Sequence, residues 1–118
     1  MGDDVHRELV ETEREERVDR LALWLEANIG PRLVAYSLCI TRSELGRIVA
    51  GERPHPAVER RIRNMFSVCA YLAAADGAGH AHDWLVERNP ELNGRAPAEM
   101  LHQGRAPERI WLAAVPAF

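Results

Sequence analysis

The chain has 118 residues, 47% of them hydrophobic, and a formal net charge of −3, which suits one compact domain or two very small ones and excludes wholesale disorder. All fifteen basic residues are arginine, and six of them fall with three acids in 41–64 while both flanks are acidic; a uniformly basic nucleic-acid binder is excluded, but a local stripe able to meet phosphate is not. Two cysteines, Cys39 and Cys69, make no disulfide framework, no apolar run reaches membrane-spanning length, and the charged residues 1–20 do not form a signal peptide, so a soluble cytoplasmic protein without membrane contact is expected.

Residues 1–17 are mostly charged, with the i,i+4 pairs Glu13–Arg17 and Glu16–Arg20 and no continuous apolar stripe. They predict a solvated helical extension; the competing use is packing of Val5 and Leu9 on a partner subunit. From Val18 the pattern changes. Val18, Leu21, Ala22, Leu25 and Ile29 recur at helical spacing and predict one buried face. Leu23 and Trp24 lie off that face, for a second neighbour or a dimer contact. Gly30-Pro31 ends this helix and starts the next.

Within 31–53, Val34, Ala35, Leu38, Ile40, Leu45 and Ile48 fill the apolar positions of a helix-turn-helix, with the small Ala35 where the two helices touch. Thr41 and Glu44 form a capping box for the second helix, and Gly51 stops it. This unit resembles the Xre-type helix-turn-helix. The turn residue of that pattern takes positive φ and is usually glycine; here it is Cys39, so either the turn is built differently or it bears a strain of roughly 1 kcal/mol. As a reader of operator DNA, the unit would project Thr41, Arg42, Ser43 and Arg47 from the start and outer face of its second helix. Arg42 or Arg47 suits a guanine edge, and Thr41 and Ser43 suit phosphate. Arg53, with Arg60, Arg61 and Arg63, would add charge against the DNA backbone. The competing reading is a helical pair used only for packing, its arginines solvated.

After Pro54-His55-Pro56 a long helix is expected over 57–75. Val58, Ile62, Met65, Cys69 and Leu72 make a heptad-like stripe, widened by Phe66, Val68 and Tyr71. It would be the spine between two modules, or a homodimer seam. Asp76-Gly77-Ala78-Gly79 reads as a turn and domain boundary. His80, His82 and Asp83 lack a fourth ligand and a shared face, so no metal site is expected. His6, His55 and His102 read as surface residues.

The most informative stretch is 84–104. Asn89 can cap and Pro90 can open a short helix, with Glu91 near its positive end. Asn93-Gly94 is a turn pair that tolerates positive φ. Pro97 opens a further helix, with Glu99 in its first turn and Gly104 at its end. Pro107 opens a last helix with Ile110, Trp111 and Leu112, ending near Pro116, before the apolar Ala117-Phe118.

Trp84, the run Asn89-Pro90-x-Leu92-x-Gly94-x-x-Pro97-x-x-x-Leu101 and Gly104 resemble the toxin-binding domain of the Xre/MbcA/ParS antitoxins. In that family the domain is C-terminal, follows a helix-turn-helix domain, and grips a RES-domain toxin that degrades NAD+. The resemblance covers about the last third of the chain. It implies an all-α fold in which a helix-turn-helix bundle over 18–76 is followed by a toxin-binding module over 77–118. It implies an antitoxin of a type II toxin-antitoxin system that occludes the toxin's pocket and represses its own operon. The contact surface would comprise Trp84, Asn89, Leu92, Gly94, Pro97, Met100, Trp111 and the tail to Phe118, with Arg95 and Arg105 meeting acidic or phosphate-like features; the alternative for some of these anchors is the module's own core. The family often has a glycine near this end, where the present run is AAVPAF; Phe118 either enters the partner or folds back.

No phosphate-cradling glycine loop, metal-ligand set or nucleophile elbow is present in the sequence, so neither an enzyme nor a cofactor is expected. The implied partners are a RES-domain toxin, operator DNA and further copies of the chain, as a homo-oligomer or a toxin-antitoxin hetero-oligomer. The alternative is a stand-alone helix-turn-helix regulator whose C-terminal part serves dimerisation or another protein contact.

Overall fold

The computed structural model of the protein describes residues 17–104 and 107–115. The helical extension expected over 1–17, apart from its last residue, and the contacts expected of Arg105 and Phe118 lie outside the described residues. Those described form seven α-helices and a single 3-10 turn, and no strand: the fold is all-α. The helices are α1 (Val18–Asn28), α2 (Pro31–Leu38), α3 (Arg42–Val49), α4 (Pro56–Asp76), α5 (Ala78–Val86), α6 (Pro97–Gln103) and α7 (Pro107–Ala114), with the 3-10 turn Pro90–Leu92 between α5 and α6.

On α1, Leu21, Ala22 and Leu25 are buried, and Ile29 just beyond its end completes the face. Trp24 lies edge-on against Phe66 of α4, ring centroids 5.3 Å apart, so one of the two off-face residues covers a second helix. The other, Leu23, is half exposed at 50%.

The joint between α2 and α3 closes on Cys39, which takes the left-handed conformation with φ 58° and ψ 44°. Its N–H donates to the Tyr36 carbonyl, and Ile40 N–H to the Ala35 carbonyl, both at 3.0 Å. This is the paired closure that glycine usually makes at a helix end. On α3, Thr41 Oγ1 accepts from Glu44 N–H at 3.0 Å. Gly51, at φ 112°, ends the α3 region by the same paired closure.

The 21-residue α4 is the spine, packed on α1, α2, α5 and α7. Its face of Ile62, Met65, Val68, Cys69 and Leu72 is buried, while Tyr71 stays 38% exposed. His55 Nδ1 accepts from Ala57 N–H at 3.1 Å and caps the helix start. A single residue, Gly77 at φ 91°, separates α4 from α5, and Ala78 and Gly79 are already helical. The two helices fold tightly on each other, and α6 packs on α2. One apolar core therefore runs from Leu21 through Leu45, Met65 and Leu85 to Leu92 and Ile110.

Candidate functional site

Two surfaces carry the residues singled out by sequence. The first is the α2–α3 unit. Thr41, Arg42, Ser43, Arg47 and Arg53 are all exposed, as reading a nucleic acid requires. Their side chains differ in what they already hold. Arg47 Nη1 donates to Ser43 Oγ at 3.2 Å and its Nε to Glu52 at 3.1 Å, so either would have to be released before Arg47 reached a base edge. Both partners of the Arg47–Glu52 pair are more than half exposed, and such a pair holds weakly. Arg42, Arg53 and Arg60 make no hydrogen bond or ion pair among the described residues. Arg61 is turned inward: its Nη1 lies 3.4 Å from the Leu38 carbonyl, across the end of α2. Arg63 pairs with Glu59 at 3.5 Å.

The second surface is the loop from Asn89 to Arg95. Asn89 organises it with three separate groups. Its Oδ1 accepts from Glu91 N–H at 2.9 Å. Its carbonyl accepts from Leu92 and Gly94 N–H, each at 2.9 Å, and its own N–H donates to the Arg95 carbonyl at 3.1 Å. The chain reverses at Asn93 (φ 58°) and Gly94 (φ 78°), both left-handed, as their residue types suggest. Arg95 then reaches across to Gln103 at 3.3 Å.

The expected contact surface divides here. Asn89 and Trp84 are half-buried, and Gly94 and Arg95 are exposed; Leu92, Pro97 and Met100 are buried. Leu92 is fully buried, and the 3-10 turn that carries it packs on α7. These three apolar residues therefore hold the loop in place from inside the chain. Trp111 presents an exposed edge beside Tyr71, with ring centroids 5.5 Å apart, and Leu112 next to it is 70% exposed.

Sequence reasoning missed the joint between the two surfaces. His102, read as a surface residue, is half-buried. It stacks on Tyr36 with centroids 4.3 Å apart and planes 7° off parallel, and its Nδ1 lies 2.6 Å from the Tyr36 carbonyl. A carbonyl only accepts, so Nδ1 carries the proton. No local signal pairs residues 66 positions apart. His80 and His82 lie near the carboxylates Asp76 (3.7 Å) and Asp83 (3.4 Å), and no group of three metal-ligating side chains occurs among the described residues. No described helix is long and apolar enough to cross a membrane. Comparison with protein-family models, curated proteins and solved structures gives no match.

Proposed function

We propose that the chain is an antitoxin of the Xre/MbcA/ParS type, which binds and occludes a RES-type NAD+-degrading toxin and represses its own operon through α2–α3. The observation that carries this reading is the Asn89–Arg95 loop. The residues on which the resemblance rests act together to hold one shape. Asn89 bonds the loop at three groups, Gly94 supplies a left-handed turn, and Leu92 and Pro97 anchor it from within. A loop fixed this way loses little freedom when it meets a partner. Trp84, Arg95, Trp111 and the exposed turn are then the groups that touch the toxin, and the buried residues support them.

The test is co-purification with the product of the adjacent gene, followed by an NAD+ consumption assay on that product with and without the chain. A stable complex in which NAD+ loss stops supports the antitoxin reading; no complex and no NAD+ chemistry removes it.

A second reading has its own support. The packing of α6 on α2 and the Tyr36–His102 stack also suit a stand-alone regulator whose C-terminal helices brace its helix-turn-helix. Operator binding with no complex formed with the adjacent gene's product, and a salt slope reduced by about 1 in Arg53→Ala, would favour that reading.

A further inference from the structure

Away from the Asn89–Arg95 loop, unpaired positive charge gathers around an apolar hollow. The corner between α1 and α2, the first turn of α3 and the side of α5 enclose an open cavity of about 690 Å3. Its apolar wall includes Pro31, Leu33, Tyr36 and Val86. Its basic side chains are Arg32, Arg42 and His82, and among the described residues no Asp or Glu lines it. The side chains of Arg32 and Arg42 make no hydrogen bond or ion pair among the described residues. His82 sits 3.4 Å from the neighbouring, exposed Asp83.

Two guanidiniums lining one cavity, with no Asp or Glu among its described lining residues, leave a local positive potential that an anion would satisfy. Guanidinium forks match the oxygens of phosphate and carboxylate. The remaining wall is apolar and aromatic: Tyr36 is stacked by His102 yet still 43% exposed, which offers ring surface to a flat guest. The volume lies in the range of small-molecule sites, which combine an apolar lining with a few placed polar groups. We propose that this cavity binds a small aromatic anion, a planar apolar body carrying a phosphate or carboxylate group. The anion meets Arg32 and Arg42, and the ring lies against Tyr36, Leu33 and Val86. Arg42 is the first residue of α3, so an occupied cavity withdraws that guanidinium from any nucleic acid. This last consequence rests on the helix-turn-helix reading; the site itself does not.

The test is a titration of the isotopically labelled full chain with 1-naphthyl phosphate, followed by amide resonances, with 1-naphthol and inorganic phosphate titrated separately. The expected result is saturable shifts at Arg32, Leu33, Arg42 and Val86, with affinity about tenfold above that of either half-probe. Arg32→Gln and Arg42→Gln, both at exposed positions, should each weaken binding by about three- to tenfold with the melting temperature unchanged. Three results overturn the proposal: no saturable shift at these amides, equal binding of a half-probe, or affinity unchanged in the double variant. No nucleic acid is present in the titration, so failure of the DNA reading leaves its outcome untouched.

Discussion

Cys39 and Cys69 show how differently one residue type behaves in two settings. Cys39 holds a left-handed backbone that a side chain opposes, so Cys39→Gly should raise stability by about 0.5–1 kcal/mol, seen as a higher urea midpoint. The unfolded chain gains freedom with glycine, which limits the gain. Cys69 is buried, and burial pushes its thiol from the ordinary 9.0 up to about 12. Only the thiolate reacts with alkylating agents. Native protein should therefore take one label, at the exposed Cys39, and two labels after unfolding, as counted by mass spectrometry. The same burial makes stability depend on pH. Because the folded value is raised, the unfolded chain gives up its proton first. The contribution of Cys69 is complete below pH 9.0 and is lost as pH climbs toward about 12. The urea midpoint should fall across that window, and Cys69→Ala should flatten the fall.

Among the helices, the junction of α2, α4 and α6 concentrates the most consequence in the fewest atoms. Gly104 ends α6 at φ 67°, and a Cβ there would stand 2.6 Å from Arg61 Nη2. Gly104→Ala should thus cost about 1–2 kcal/mol, from backbone strain and from displacing Arg61 off the Leu38 carbonyl. Made on an Arg61→Ala background, the same change should cost only the strain, about 1 kcal/mol, and thermal melting of the four proteins would separate the two parts. Asn89→Ala should cost about 1 kcal/mol by removing the side-chain acceptor for Glu91 N–H. Caps and turns of this kind were legible in the sequence: Thr41, Asn89, Asn93-Gly94 and Gly104 each act on close neighbours in the chain, whereas the sequence left open whether Cys39 keeps the left-handed turn. The Arg61–Leu38 and Tyr36–His102 contacts were not, because each depends on which helices meet in space. Burial of Leu92, Pro97 and Met100 was equally hidden. A large apolar residue beside a turn reads the same whether it faces its own chain or another.

Across the whole molecule, the apolar core crosses the point where composition suggested a boundary. Gly77 alone separates α4 from α5, and the inner face of α4 is covered from both sides of it. A chain truncated after Asp76 should expose that face together with the α2 surface under α6. It should melt without a sharp cooperative transition and bind a hydrophobic dye, whereas the full chain should melt in one step. The Tyr36 carbonyl lies at the centre of this continuity. It accepts the Cys39 N–H that closes α2 and is also met by His102 from α6. Grafting the last third of the chain onto a different N-terminal helical bundle would therefore fail as a simple swap of parts. A working chimera would have to carry Tyr36, Arg61 and His102 together, because the seam between the halves is itself a shared piece of hardware.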